Sequence, residues 1–489
     1  MAEFEFEKGL TVTETGIPGL KVVELPVHGD ARGWFKENWQ RGKMVALGLP
    51  DVRFVQNNIS FNDRRGVTRG IHAEPWNKLI SVAAGSVFGA WVDLRPGDTF
   101  GTVFTCVLDP SRAIYVPRGV GNSYQALEDG TAYTYLVDAH WSAELKSTYT
   151  FVNLADPELA IDWPIPLSEC ELSEADKNHP ALADALPMPA RRTLVTGCDG
   201  QLGRAVRAYA EERGLEGFDY TDLAEFDFSD PADYPKVDWP LYGTVINCGA
   251  YTAVDAAEAA EGRAACWKAN AEGPALLARA CAEHGATLVH VSSDYVFDGA
   301  AANRAEDGPF SPLSAYGASK AAGDLAVAGC PAHYVLRSSW VIGDGRNFVR
   351  TMAALSGRAA DPDDSLDEVA VVSDQLGRLT FTDQMAAAIF HLLDAGAPYG
   401  TYNVTGSGAV KSWADIARAV FDRANGNGDR VVPVSTEEYY AGAEGPIAPR
   451  PANSDLDLSK LAGTGFVPRD WEAELAEYLD GLLAPEGGL

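Results

Sequence analysis

Thr196-Gly197-Cys198-Asp199-Gly200-Gln201-Leu202-Gly203 follows the short apolar run at 193–196 without a gap and leads into a helical stretch expected near 201–213. Glycine at Gly197, Gly200 and Gly203 permits a tight turn and a close approach of backbone to a pyrophosphate. The start of the following helix offers unpaired N–H groups and the positive end of its dipole. An ordinary glycine-rich turn is the plainer reading, but the position between strand and helix at the start of a domain points to a dinucleotide site. The pattern continues downstream. Apolar runs at 245–248, 288–291 and 334–336 alternate with helical stretches near 264–284 and 316–328. Such β-α-β alternation predicts an open, doubly wound parallel sheet of the Rossmann type.

Two further signals fall in this half. Val291-Ser292-Ser293-Asp294-Tyr295-Val296-Phe297-Asp298-Gly299 lies at the end of an apolar run, where open α/β sheets bind ligands. In Tyr316-Gly-Ala-Ser-Lys320 the phenol and the ammonium share one helical face. An ammonium there is expected to lower the tyrosine pKa and make Tyr316 a proton donor to a carbonyl that receives hydride. Asp219 or Asp222 near the end of the second strand would accept a ribose 2′-hydroxyl and favour NADH. Arg204 would instead accept a 2′-phosphate and favour NADPH.

The other half reads differently. Within 20–155, short β-branched and aromatic runs at 79–82, 87–94, 103–108, 113–116 and 133–137 are separated by turn signals. That spacing predicts an all-β sandwich or barrel. Prolines at 180, 187 and 189 in a small-residue stretch read as a linker, so the domains are expected at 1–188 and 189–489. The formal net charge of −30 disfavours nucleic acid and anionic membrane surfaces as partners. No run approaches the ~18 apolar residues of a membrane span, and the start MAEFEFEKGL lacks a signal-peptide core, so a cytoplasmic location is expected. The seven cysteines are scattered without a C-x-x-C pair, which argues against a disulfide framework and a zinc site.

Residues 192–480 resemble the dTDP-4-dehydrorhamnose reductases of the extended short-chain dehydrogenase class. The matching stretches are Gly200-Gln-Leu-Gly203, residues 245–255, Ser292-Ser-Asp-Tyr-Val-Phe-Asp-Gly299, Tyr316-x-x-x-Lys320, Arg337-Ser-Ser-Trp340, Asp374-Gln375 and residues 450–457. The resemblance implies a Rossmann-type domain with a small substrate-binding subdomain. It also implies a catalytic triad of Ser293 (usually threonine in the family), Tyr316 and Lys320, with Lys320 also on the nicotinamide ribose. Gly197, Gly200, Gln201, Leu202, Gly203 and Ala250 would bind NADPH or NADH. Trp340 and Arg450 would lie in the substrate cleft, although Trp340 fits a core position equally well.

The first 185 residues or so resemble the dTDP-4-dehydrorhamnose 3,5-epimerases, cupin-like jelly rolls. The resemblance rests on Arg32-Gly-Trp-Phe-Lys-Glu37, Phe54-Val-Gln-Asn57, residues 66–75, residues 115–122, Asp156-Pro157 to Trp163-Pro164, and Leu172-Ser-Glu-Ala-Asp176. It implies proton exchange at the carbons flanking a keto group. His72 would be the base, Asp176 its orienting partner, Tyr135 the acid on the opposite face and Lys78 the stabiliser of the enolate oxygen. Arg69 would contact the phosphates, and Arg32, Glu37, Gln56, Asn57 and Arg118 would bind substrate. Tyr133 shares a strand face with Tyr135 and remains an alternative acid. Strict alternation would separate Arg69 from His72, unless Gly70 marks a bulge. A single histidine with Glu74 is too small a ligand set for a metal, and none is expected. The chain departs from the family at Ala73 and Glu74, at Asn122 and at Leu136.

Together the resemblances imply a bifunctional enzyme of dTDP-L-rhamnose synthesis, acting on a dTDP-linked 4-keto-6-deoxyhexose as a homodimer joined through the epimerase domain. The alternatives are a UDP-linked or other deoxysugar, a non-catalytic regulatory subunit, or a lectin-like β domain on an active reductase.

Overall fold

The computed structural model describes residues 6–141, 146, 148–364 and 366–484. The chain divides into two compact units, Met1–Ala190 and Arg191–Leu489.

In the first unit two antiparallel sheets face each other. One runs in the order Thr11–Glu14, Lys21–Glu24, Arg112–Val116, Lys78–Ala84, Thr131–Val137, Gln56–Asn62. The other runs Thr150–Phe151, Thr68–Ala73, Val120–Ala126, Val87–Asp93, Val103–Leu108. Ile80, Ile114 and Tyr133 from the first sheet meet Trp91, Leu108 and Tyr124 from the second in one buried cluster. This is the jelly-roll solution to burying one face of each sheet. The expected strand at 103–108 coincides with the observed one, and the other four runs fall within observed strands to one or two residues at their ends.

The second unit holds a six-stranded sheet in the order Phe218–Thr221, Arg192–Thr196, Tyr242–Asn247, Thr287–Ser293, His333–Ser338, Gly400–Asn403, parallel throughout. Helices Gln201–Glu212 and Thr382–Asp394 contribute to the core on one face, and Gly273–His284 and Ala315–Val327 to the core on the other. The chain order reverses between Arg192–Thr196 and Tyr242–Asn247, the switch point at which such sheets open a crevice. A second core gathers Val349, Phe381, Phe421 and Trp471, mainly from helices Phe348–Ala360, Trp413–Asn425 and Trp471–Leu483, into a small subdomain.

Two expectations are corrected. The helix expected near 264–284 is longer and irregular: Ala260–Trp267 continues through a widened π turn, Lys268–Glu272, into Gly273–His284. Pro274 has no N–H to offer the carbonyl of Asn270, and the backbone widens where that bond is missing. The proline-rich stretch read as a linker belongs to the packed body of the first unit. The Leu182 N–H donates to Asp156 (2.7 Å) and the Met188 N–H to the Leu94 carbonyl (2.7 Å). Met188 is buried against Ile71, Val92 and Leu94. Its prolines sit where no backbone donor is required, so their number signals turns rather than looseness.

Truncating Met188 in the full chain tests this packing. Met188→Ala is expected to lower the unfolding free energy of the first unit by roughly 2–3 kcal/mol, seen as a lower calorimetric transition temperature; in a loose tether it would be silent.

Candidate active sites

In the second unit a cavity of about 930 Å³ opens at the switch point, lined among others by Gly197, Gly200, Gln201, Leu202, Ala250 and Asp222. Gly197 has φ +67°, and a Cβ there would stand 2.5 Å from Gly249 Cα. A Cβ at Gly203 would collide with the Gly197 carbonyl, so this glycine lets the helix start against the strand end. Gly200 is different: a Cβ would meet only the Gly197 oxygen at 3.3 Å, so its bareness keeps the cavity side clear. Gly200 is also the helix N-cap and carries no side chain to cover the first-turn N–H groups. These features fit a dinucleotide pyrophosphate.

Asp219 is removed as a ribose ligand, because it is held by Arg192 (2.6 Å) and by the Tyr242 hydroxyl (3.0 Å). Asp222 lines the cavity and accepts from the Asp199 N–H at 3.0 Å. Arg204 also borders it, with its guanidinium donating to the backbone carbonyls of Asp199 and Asp344.

The reacting groups come from two neighbouring elements. Ser293 ends its strand, accepts from the Tyr295 N–H (3.1 Å) and donates to Asp294 (3.0 Å). Helix Ala315–Val327 is capped by Ser314 and presents Tyr316, Lys320 and Asp324 along one face. Lys320 is 2% exposed, and its ammonium donates to the Val291 carbonyl at 2.6 Å. Asp324 pairs with Arg337 at 2.8 Å. Burial pushes Lys320 down to about 8, opposed by Asp324. Burial raises the Tyr316 phenol above its ordinary value, with Asp294 adding to the rise and the Ser293 hydroxyl opposing it. The expected depression of the Tyr316 pKa by Lys320 is therefore not found: desolvation of the phenolate outweighs any effect of an ammonium already engaged elsewhere. Asp294 is buried beside them, and desolvation pushes it up to about 6.

Trp340 borders the cavity and stacks on Trp413, ring centres 3.8 Å apart. Arg450 does not line it. Its guanidinium is bound to Asp255 (2.8 Å) and the Ala448 carbonyl.

In the first unit the bulge raised at Gly70 is present. Asn122 pairs with His72 but Tyr124 with Arg69, so one residue on the partner strand faces two here. Gly70 has φ +121°, and a Cβ would stand 2.5 Å from Ser123 Cβ. The shift brings Arg69 and His72 to one cavity of about 540 Å³, shared with Lys146, Tyr149, Glu171, Asp176 and His179. Ser173 caps the short helix Glu174–Lys177, which turns the buried Asp176 inward. His72 Nε2 lies 2.9 Å from Asp176 Oδ1. Burial alone would raise the Asp176 carboxyl, but the hydrogen bond and charge of His72 outweigh it and hold the carboxyl below its usual value.

His179 falls in the stretch whose sequence reads as a linker. It stands with Nε2 3.9 Å from the same carboxylate oxygen and its ring 5.3 Å from His72. Its only local signal is a histidine three residues after Asp176, one helical turn on.

Tyr133 and Tyr135 separate. The Tyr133 hydroxyl is buried and donates to Asn122 (3.0 Å), whereas Tyr135 is partly exposed, with the Lys78 ammonium 5.9 Å from its ring. Lys78 is buried in an ion pair with Glu74, which removes Glu74 as a metal ligand. Burial raises the Tyr135 phenol, with Glu74 adding to the rise and Arg69 opposing it; neither Tyr135 nor Lys78 lines the His72 cavity.

The remaining expected substrate contacts lie elsewhere. Arg32 is exposed and bound to Asp30, and Glu37 to Lys43 (2.6 Å). Gln56 donates to Asn58 (2.8 Å), and Asn57 accepts from Thr134 (3.0 Å). Arg118 donates to the Pro189 carbonyl at 2.7 Å, tying down the end of the unit instead of lining the cavity.

The family described as RmlD substrate binding domain matches residues 191–484, and that described as dTDP-4-dehydrorhamnose 3,5-epimerase matches residues 14–184. An RmlC homolog protein of Streptococcus pyogenes serotype M6 is 52% identical over 38% of this chain and 98% of its own length. A dTDP-4-dehydrorhamnose reductase of Mycobacterium tuberculosis is 38% identical over 59% of this chain and 92% of its own. The solved dTDP-4-dehydrorhamnose reductase of Bacillus anthracis in complex with NADP is 32% identical, covers 59% of this chain and 98% of that one, and superposes with a TM-score of 0.52. The chain thus belongs, unit by unit, to two families: dTDP-4-dehydrorhamnose 3,5-epimerase in its first part and RmlD-type reductase in its second.

Proposed function

We propose that this chain catalyses two successive steps on one dTDP-linked 4-keto-6-deoxyhexose, epimerisation at carbons 3 and 5 and then reduction of the carbon-4 ketone, yielding dTDP-L-rhamnose. The observation that carries this reading is that each unit holds an acid–base pair in its own cavity, His72 with Asp176 and Tyr316 with Lys320.

In the first unit Asp176 accepts from Nε2–H of His72, which leaves the Nδ1 lone pair to take a proton from the carbon beside the ketone. The buried Lys78 ammonium, paired with Glu74, stabilises the enolate oxygen, and Tyr135 returns a proton from the other face. Arg69 holds the diphosphate.

In the second unit the ketone carbon would receive hydride from bound NADPH or NADH. Gly197, Gly200 and Gly203 make room for its pyrophosphate, with Gln201, Leu202 and Ala250 beside it. Ser293 orients the ketone oxygen. Tyr316, held neutral by burial, gives up its proton only as alkoxide charge develops. Lys320 supplies the positive charge behind the tyrosine and holds the nicotinamide ribose. Trp340 closes the substrate side.

We also propose a homodimer formed through the first unit. Ile59 (67% exposed) and Phe61 (61%) lie bare on the edge strand Gln56–Asn62, and Phe35 (66%) on the hairpin formed by Val27–Asp30 and Gly33–Lys36. An apolar sheet edge of this kind is an interaction surface. A cytoplasmic location is supported by the seven cysteines, all of them free. No described helix is long and apolar enough to cross a membrane.

Three measurements test these readings. With dTDP-4-keto-6-deoxyglucose and NADPH or NADH, wild type is expected to oxidise cofactor, and His72→Ala and Tyr316→Phe each to lose about 10²–10⁴-fold. A separate epimerase should rescue only the His72 variant; rescue of both would remove Tyr316 from its role. The reductase kcat/KM is expected to fall as pH rises through about 8, where Lys320 loses its proton; Lys320→Arg, which stays charged, should shift that fall beyond pH 10 or so in whatever activity remains. Finally, Ile59→Lys with Phe61→Lys is expected to convert a dimer into a monomer by light scattering, and a monomeric wild type would end the dimer reading.

A further inference from the structure

The first unit brings together a third ligand-type side chain that its mechanism does not use. His72 Nε2 and His179 Nε2 lie 2.9 Å and 3.9 Å from one and the same oxygen, Asp176 Oδ1. The donor atoms of the three residues all fall within 4.8 Å of one another. Metal–ligand bonds of about 2.0–2.2 Å around a tetrahedral zinc ion place its ligand atoms roughly 3.4 Å apart, between the two observed distances. Two imidazoles and one carboxylate are a borderline-soft ligand set that suits zinc better than magnesium or calcium. Ligands counted along the His72 strand alone are too few for a metal; Asp176 and His179 arrive from a distant helix and the turn after it.

We propose that His72, Asp176 and His179 bind one zinc-type divalent cation, and that this ion switches off epimerisation. The cavity of about 540 Å³ leaves the fourth position to water or to a substrate oxygen. Binding requires the lone pair of His72 Nε2. The proton that Nε2 donates to Asp176 moves to Nδ1, and the carboxylate oxygen it leaves becomes a ligand. The imidazole stays neutral, but both of its nitrogens are then occupied and none remains to abstract a proton. The binding claim stands on geometry alone; the inhibition rests on the reading of His72 as the base.

The test titrates the full chain with Zn²⁺ alone against a chromophoric chelator, beside His179→Gln. Epimerisation is followed as deuterium uptake from solvent into the keto sugar. Wild type is expected to bind one ion per first unit with micromolar affinity, His179→Gln roughly 100-fold more weakly, and uptake by wild type to fall in step with occupancy. X-ray absorption at the zinc edge should show imidazole and oxygen ligands. Equal affinity in both proteins, no binding, or sulfur among the ligands would overturn the proposal. A normal thermal transition of His179→Gln guards against misfolding, and if its transition is lowered the absorption spectrum of wild type decides. Zinc binding that depends on His179, in a protein that takes up no deuterium even without zinc, would support the ion site and remove the epimerase reading instead.

Discussion

A charge withdrawn from water needs a partner, and the working parts of both units are arranged around that requirement. Lys320 is buried with its ammonium on the Val291 carbonyl, and Asp324 one turn further along the same helix is bound to Arg337. The helix, the strand end that carries Ser293 and the neighbouring strand are thereby locked in register. In the first unit the buried pairs are Lys78 with Glu74 and Asp176 with His72. Removing one member of any such pair strands the other in a low-dielectric site, a cost typically of several kcal/mol. The pairs proposed to carry the chemistry therefore also hold the local fold.

The two chemistries also fit one another. The keto group that acidifies its neighbouring carbons in the first step is the group removed by reduction in the second. An epimerised ketone is drawn forward by the reduction that consumes it, and joining two catalysts in one chain raises the local concentration of the second step.

Much of this architecture is legible in the amino-acid sequence. The glycine spacing at 197–203 encodes a strand-to-helix turn because no side chain fits at Gly197 or Gly203. The β-branched and aromatic run at 103–108 encodes a strand because such side chains pack well on a pleated surface. The i, i+4 spacing of Tyr316 and Lys320 encodes a shared helical face. Expectation and structure part where residue type is known but side-chain direction is not. Arg118 and Arg450 look like phosphate or substrate ligands, yet a long guanidinium goes to the nearest acceptor, the Pro189 carbonyl in one case and Asp255 in the other. Pro274 widens a helix that helical periodicity alone makes regular.

The sequence by itself determined the two fold classes, the glycine loop and the pairs that act through local spacing, because strand and helix periods and backbone sterics operate over a few residues. Only the tertiary structure decided what long-range packing controls. It placed His179 beside His72 and Asp176 and committed Tyr133 to Asn122 while leaving Tyr135 open. It reversed the expected pKa shift of Tyr316, since desolvation depends on everything packed around a group and not on its neighbour one turn away.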